Sequence, residues 1–267
     1  MGEAVYTPLG DGRFEPGELS RGPWSPDHQH GGAPAALLAG AIEATGEPSP
    51  MRVARLTLNL LRPVPIAPLQ VATEVVRPGR RVQVVAASLS CDGEEVVRAQ
   101  ALKIRSAPGE SERQGFDPPP EPGPQEAPEP VEFDAGLLGG PMFGGAAMEI
   151  RLSAGKERWE TPGPSMAWTR LLVEIVAGEE PSPLQRAVAT ADFANGTSSV
   201  LDWKEHAFIN PDLTVVLGRE PRGEWIGLDA VSSISDDGSG MATGTLFDAD
   251  GRFGVSAQAL YVSGIER

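Results

Sequence analysis

One carboxylate in the second half of the chain stands where it could act as a base. Helix-start signals at Ser182, Pro183 and Gln185 predict a helix that ends at Asn195-Gly196. Apolar residues at helical spacing give this helix a face for packing on a sheet, and Asp192 borders that face. Because a partly desolvated carboxylate is a stronger base, Asp192 is expected to activate water or to attack a carbonyl carbon itself. A solvated aspartate near a helix end is the structural alternative.

A glutamine within an apolar strand is the second candidate. Gln258 belongs to the sequence Ala-Gln-Ala-Leu, downstream of an Asp-Gly pair. Gln100 occupies the same position in an identical sequence after Asp92-Gly93. A buried amide needs hydrogen-bond partners, so a structural role in both copies is the alternative. Only the second copy combines its glutamine with a mid-helix carboxylate, since the first helix offers only Glu43 near its end. This difference predicts one active site per chain.

A glycine pair opens the first predicted helix. His30, Gly31 and Gly32 precede an Ala/Leu-rich stretch that runs to Ala44. Backbone N–H groups at such a start, with no side chains in front of them, are able to bind an oxyanion. A plain N-terminal turn capped by His30 or Asp27 is the alternative.

Three arginines form the densest basic cluster. Arg77, Arg80 and Arg81 lie between two predicted strands, and guanidinium groups suit phosphate. They therefore indicate a site for an anionic ligand, with a solvated basic turn as the alternative.

The composition excludes several other classes of function. A net charge of −15 argues against the basic surface that a nucleic-acid-binding protein needs. The three histidines have no familiar ligand spacing, so no metal site is predicted. No run approaches the roughly 18 apolar residues of a membrane span, and the first residues do not resemble a signal peptide. The single cysteine, Cys91, favours a reducing compartment, and we expect the protein to be cytoplasmic.

The elements that carry these residues form two similar units. Leu-Thr, Asp-Gly and Ala-Gln-Ala-Leu recur in the same order in both halves, which indicates an internal duplication. A proline-rich acidic stretch over 107–130 separates them, so the predicted units are 1–106 and 131–267. Strands are predicted over 52–61, 69–77, 81–90 and 95–105, then over 148–153, 167–175, 213–218, 224–233, 240–248 and 252–262.

Each unit thus has one central helix beside an antiparallel sheet. An α+β unit in which a curved antiparallel sheet wraps around one helix is the hotdog arrangement. The predicted fold is therefore a tandem, or double, hotdog.

The chain resembles the double-hotdog acyl-CoA thioesterases, in particular the acyl-CoA thioesterase II-like group. The resemblance covers most of the chain outside the linker. It rests on the order and spacing of six short motifs, which are His30-Gly31-Gly32, Leu60-Leu61-Arg62-Pro63, Asp92-Gly93, Ala191-Asp192, Asn210-Pro211-Asp212 and Val255-Ser256-Ala257-Gln258.

The resemblance implies roles for these positions. Asp192, Asn210 and Gln258 match residues that hold the attacking water, with Asn210 standing where better-known members have threonine. The helix start at Gly31 would supply oxyanion donors to the other unit's site. The arginine cluster would meet phosphates of coenzyme A. The substrate would be a fatty acyl-CoA, with no cofactor besides the coenzyme A it carries. Chains of this kind are expected to form homodimers.

Two other functions stay open on the same scaffold. The protein could bind acyl-CoA or lipid without catalysis, which the asparagine at 210 favours. A hotdog hydratase is the other alternative, although Asp202 and His206 do not resemble the motif of those enzymes. No Gly-x-Ser-x-Gly elbow supports an α/β-hydrolase route.

Overall fold

The two longest helices of the described residues lie side by side against a 14-stranded sheet. The computed structural model describes residues 3–46, 50–110, 112–127, 129–133, 140–203 and 205–264. The helices are α1 (Gly32–Ala44), α2 (Pro183–Ala191) and the short α3 (Ala194–Thr197). The strands are β1 (Ala4–Gly10), β2 (Arg13–Pro16), β3 (Met51–Leu60), β4 (Leu69–Arg77), β5 (Val82–Cys91), β6 (Glu94–Arg105), β7 (Met148–Ala154), β8 (Ser165–Leu171), β9 (Glu174–Val176), β10 (His206–Ile209), β11 (Asp212–Leu217), β12 (Ile226–Ile234), β13 (Ser239–Asp248) and β14 (Gly251–Gly264).

The sheet runs from the second half of the chain into the first. Its order is β7-β8-β12-β13-β14-β11-β3-β6-β5-β4-β2-β1-β9, and β10 pairs separately with β14. The halves join where β3 pairs with β11, and there Thr57 lies opposite Thr214. Because these two threonines hold the same place in the sequence repeat, the copies meet at their equivalent residues.

The helices follow their sequence signals at their starts. Ser182 and Gln185 form the predicted capping box, and Pro183 occupies the first turn of α2. The predicted end of α2 is wrong. The helix stops at Ala191, and the Phe193 N–H donates to Thr190 O, three residues back, before α3 begins. Asp192 therefore lies at the end of a helix rather than within one.

The two Ala-Gln-Ala-Leu sequences are not structural equivalents. Thr57 faces Gln100 across β3 and β6, whereas Thr214 faces Ala257 across β11 and β14. The counterpart of Gln258 is therefore Ala101. Gln100 points to solvent, while Ala101 and Gln258 are both buried.

The two hairpins explain this shift. The first turns on Asp92-Gly93, both with positive φ, and β6 begins at Glu94. In the second, Asp248 pairs with Gly251, so the loop is Ala249-Asp250 and the glycine already belongs to β14. A register difference of one residue moves every side chain to the other face of a strand.

Some elements were not predicted. The hairpin of β1 and β2 turns at Asp11-Gly12, which carries the same signal as Asp92-Gly93. The strand predicted over 167–175 is two strands, and β9 pairs in parallel with β1 of the first half. The described part of the 107–130 segment contains no helix or strand, but it is not detached: Pro122 O accepts hydrogen bonds from Trp168 Nε1 at 3.0 Å and Ser153 Oγ at 2.9 Å.

Candidate active site

Asp192 lies where the end of α2 meets the start of α1, a place we call the Asp192 junction. Its side chain is only 3% exposed. Asn210 Nδ2 donates to Asp192 Oδ1 at 2.7 Å, and Gln258 Nε2 lies 3.3 Å from the same oxygen. The structure thus brings together the three residues that were predicted to hold water.

The strands fix the two amides. Gln258 points inward because its neighbours on β14, Ala257 and Ala259, point outward. Asn210 lies in the two-residue connection between β10 and β11. Asp212 Oδ1 accepts the Ala259 N–H at 2.7 Å, which ties this connection to β14.

His30 contacts the same carboxylate, a partner that the sequence did not indicate. Its Nδ1 lies 3.0 Å from Asp192 Oδ2 and 3.1 Å from the Gly32 nitrogen. A protonated Nδ1 donates to the carboxylate, whereas an unprotonated one accepts from Gly32, so the two contacts exclude each other. The imidazole packs on Phe193, with ring centroids 4.4 Å apart, and this packing fixes its orientation.

Gly31 allows the close approach of the two helices. A Cβ on this residue would lie 2.9 Å and 3.1 Å from the two Asp192 carboxylate oxygens. The start of α1 has no side-chain cap, and the Gly31 N–H has no hydrogen-bond partner among the described residues. A free backbone donor therefore stands beside the carboxylate, at the positive end of a helix.

One buried acceptor at the junction is unused. Gln258 Oε1 has no hydrogen-bond partner among the described residues, although Gln258 is only 2% exposed. Buried amide oxygens are normally hydrogen-bonded. The free acceptor and the free Gly31 donor give the junction the two polarities needed to hold a water molecule and a carbonyl oxygen.

The arginine cluster lies elsewhere. Arg81 adjoins the start of β5, and Val82, the first residue of β5, is in register with Ile104 of β6 and, through it, with Arg52 of β3. At the other end of β3, Asn59 is in register with Asp212, which follows Asn210 of the Asp192 junction. Seven residues of β3 separate these two positions, or roughly 23 Å at about 3.3 Å per residue. The structure therefore does not bring Arg77, Arg80 or Arg81 to Asp192.

The other ends of the two helices form a second meeting point, which we call the Glu43 junction. The Ser182 hydroxyl at the start of α2 donates to the Glu43 carboxylate near the end of α1. Burial raises the pKa of Glu43, and the Ser182 hydrogen bond opposes that shift. Lys103 Nζ donates to Ile42 O at 2.8 Å and to Thr45 O at 2.7 Å, which closes the end of α1.

Among the described residues, no group of three or more His, Cys, Asp or Glu side chains stands close enough to hold a metal ion. No helix within the described ranges is long and apolar enough to cross a membrane.

Known families match both halves of the chain. The sequence profile of the acyl-CoA thioesterase N-terminal domain matches residues 20–104. The profile of the acyl-CoA thioesterase C-terminal domain matches residues 116–262. No curated protein sequence matches the chain.

Solved structures of similar shape agree with the sheet and helices described above. A candidate thioesterase II from Thermobifida fusca YX superposes with a TM-score of 0.73 at 17% identity, covering 97% of this chain and 95% of that one. A hot dog fold protein of unknown function from Alicyclobacillus acidocaldarius gives 0.71 at 17% identity, covering 97% and 96%. The acyl-CoA thioesterase II TesB2 from Mycobacterium marinum gives 0.66 at 15% identity, covering 100% and 96%. At such identities these matches show the fold, which is of the hotdog type.

Proposed function

Because this chain belongs to the acyl-CoA thioesterase family and is a thioester hydrolase, we propose that it cleaves fatty acyl-CoA to a free acid and coenzyme A with Asp192 as the base. The observation that carries this proposal is the Asp192 junction itself. A buried carboxylate is held there by Asn210 and Gln258 and lies beside the uncapped start of α1.

The proposed reaction uses water as the nucleophile. Asp192 takes a proton from water as the water oxygen forms a bond to the thioester carbonyl carbon. The Gly31 N–H donates to the oxygen that becomes negatively charged. When the tetrahedral intermediate collapses, the carbon–sulfur bond breaks and the coenzyme A sulfur receives the proton from Asp192. The free acid and the thiol leave, and the carboxylate is restored.

His30 and the two amides position this base. With its proton on Nδ1, His30 donates to Asp192 Oδ2 at 3.0 Å, while Asn210 and Gln258 occupy Oδ1. Three donors hold the carboxylate in one orientation and leave Gln258 Oε1 to accept from the attacking water. Asn210 fulfils its part through its amide N–H group, so asparagine is a workable replacement for the threonine of better-known members.

The remaining expectations are part of the same proposal. We propose that the two halves form a double hotdog that works in the cytoplasm as a homodimer, in lipid metabolism. The meeting of equivalent threonines at the centre of the sheet supports the tandem arrangement. The unpaired Cys91 suits a reducing compartment. Coenzyme A enters the reaction only as part of the substrate.

The decisive experiment measures coenzyme A release from acyl-CoAs of several chain lengths. Asp192→Asn should lower kcat by roughly a hundredfold to ten-thousandfold, because it removes the general base. Glu43→Gln makes the same chemical change at the other junction and should leave the rate unchanged. Equal rates for wild type and Asp192→Asn would refute the assigned base. Tight binding of acyl-CoA by wild type without release of coenzyme A would favour the non-catalytic alternative.

A further inference from the structure

The start of α1 has to meet two competing demands. Under the proposed function, the Gly31 N–H must be free to bind an oxyanion, and it must also be held at a fixed distance from Asp192. A helix start is usually held by a side-chain cap, which occupies its N–H groups. Because α1 has no such cap among the described residues, its start must be held through the residues that precede Gly31.

Gln29, two residues before Gly31, is held at three points. Its backbone N–H donates to Val64 O at 2.8 Å, and its side-chain Nε2 donates to Pro65 O at 2.6 Å. Its Oε1 accepts the Tyr6 hydroxyl at 2.5 Å. Gln29 is only 9% exposed, so its amide is largely shielded from competing water.

Tyr6 supplies the third of these bonds from inside the protein. Its side chain is fully buried. Burial raises the pKa of the Tyr6 hydroxyl well above its ordinary value, so the hydroxyl keeps its proton and remains a donor at neutral pH. Phenylalanine would fill the same space without a polar atom. The hydroxyl is therefore not needed for packing, and its effect is on Gln29.

The backbone of the same tyrosine is bound to the second half of the chain. Tyr6 is in register with Val176 in the parallel pair of β1 and β9, and Tyr6 O accepts the Ala177 N–H at 2.9 Å. From Ala177 the chain continues into α2, which ends next to Asp192. Tyr6 thus connects the segment that leads into α1, through its side chain, with the segment that leads into α2, through its backbone.

Strand β1 also fixes the residue after Gln29. Val5 O accepts the Gly17 N–H at 2.8 Å, and Gly17 O accepts the Ser20 N–H at 3.0 Å. Ser20 O in turn accepts the His30 N–H at 2.8 Å. Gln29 and His30 are therefore both tied to β1, by separate routes.

We propose that Tyr6 is a positioning residue of the hydrolysis and acts through Gln29. The bond between them holds the two residues that follow, His30 and Gly31, in place opposite the Asp192 carboxylate. This inference rests on the proposed function, since it assigns Tyr6 an effect on that reaction. Without the hydroxyl, Gln29 Oε1 becomes an unpaired buried acceptor, and the amide and the residues after it shift to relieve it. A displacement of about 1 Å can lower a rate roughly a hundredfold.

The first test removes the hydroxyl and keeps the ring. For Tyr6→Phe we expect kcat of coenzyme A release to fall roughly tenfold to a hundredfold, with KM within about twofold of wild type, because an oxyanion donor acts on the transition state and not on the bound substrate. Ser182→Ala is the control, since it removes a hydroxyl at the start of α2 instead; it should lower Tm and leave kcat unchanged. Circular dichroism at the assay temperature verifies that both variants are folded.

Two analogues separate positioning from a general loss of structure. A thioether analogue of acyl-CoA resembles the bound substrate, and a trifluoromethyl ketone analogue, whose hydrate contains a tetrahedral carbon, resembles the intermediate. In calorimetric titration, Tyr6→Phe should weaken binding of the ketone by about the same factor as kcat and leave binding of the thioether unchanged.

A second variant breaks the same bond from the other side. Gln29→Leu also gives up the bond to Pro65 O, so kcat should fall at least as far as in Tyr6→Phe. The double variant should lose no more than Gln29→Leu alone, because the two changes break one shared bond. A loss equal to the product of the two single losses would show that the residues act independently and would overturn the route through Gln29.

The outcomes distinguish this inference from the proposed function. Equal kcat in wild type and Tyr6→Phe would overturn the inference, and so would an equal loss of affinity for both analogues. A wild type that releases no coenzyme A would overturn the proposed function and the role of Tyr6 with it. A wild type whose rate depends on Asp192 but not on the Tyr6 hydroxyl would refute the positioning role alone.

Discussion

The Asp192 junction and the Glu43 junction each bring a carboxylate near the end of one helix to the start of the other helix. They differ in whether the backbone N–H groups of that helix start are capped. At the Glu43 junction, Ser182 and Gln185 cap α2 by occupying each other's backbone N–H groups, and Pro183 has none to offer. At the Asp192 junction, α1 starts at glycine without a side-chain cap. A capped start stabilises its helix, and an uncapped start keeps a donor for a ligand.

The strands beside the two junctions also differ in the inward side chain that they supply. Gln258 supplies an amide at one, while its counterpart at the other is Ala101, which is fully buried. Lys103 further closes the end of α1 by donating to three backbone carbonyls. The duplication thus yields one junction with a capped helix start and one that, under the proposed function, carries the chemistry.

The largest difference in rate between the two junctions is expected when one methyl group is added at each of them. Gly31→Ala would push the Asp192 carboxylate from its place, and a displacement of about 1 Å can lower the rate roughly a hundredfold. Gly40→Ala is the control, since its Cβ would meet the Gln185 amide instead of the Asp192 carboxylate. Initial rates of coenzyme A release check both. Equal losses in the two variants would mean that the junctions are not distinct in function.

The next largest effect concerns Gln258, the strand amide whose counterpart at the Glu43 junction is Ala101. Gln258→Ala removes a hydrogen bond to a carboxylate and an acceptor for water, and we expect kcat to fall roughly tenfold to a hundredfold. Gln100→Ala is the matched control, because Gln100 is the sequence twin but points to solvent. A similar loss in the control would contradict the register that separates the two glutamines.

The sequence predicted the parts that depend on local chemistry. The capping box of Ser182 and Gln185 needs only residues three apart. Asp192 and Gln258 were chosen as candidates from a predicted helix, whose end was wrong, and from a predicted strand. The contact between His30 and Asp192 escaped prediction because it depends on how two helices distant in sequence pack. The equivalence of Gln100 and Gln258 was wrong because a different turn moved the register by one residue.

A smaller effect should show the stabilising character of the Glu43 junction. Ser182→Ala removes the N-cap of α2 and should lower the free energy of unfolding by about 1 kcal/mol. For a chain of this size that corresponds to a Tm lower by roughly 2–4 °C. Differential scanning calorimetry measures the shift, and the rate of coenzyme A release at 25 °C should not change. A slower release of coenzyme A by a fully folded Ser182→Ala variant would show that Ser182 takes part in the reaction.

The smallest effect is a pH dependence of stability. Burial raises the pKa of Glu43 above its ordinary value of 4.5, so the folded state holds this proton more tightly than the unfolded state. Stability is therefore lost as the pH rises through the raised pKa. Glu43→Gln, which cannot ionise, should have a higher Tm than wild type at neutral pH, and the difference should vanish below about pH 4.5. A difference in Tm between the two proteins that grows as the pH falls would contradict a raised pKa of Glu43.

The central claim is that two similar halves form a single substrate site, at the Asp192 junction. Calorimetric titration of the wild-type chain with a thioether analogue of acyl-CoA, which cannot be hydrolysed, counts the sites directly. We expect one analogue bound per chain, with binding weakened by Gly31→Ala and unaffected by Gly40→Ala. Two analogues bound per chain, or binding that depends on Gly40 and not on Gly31, would contradict the account.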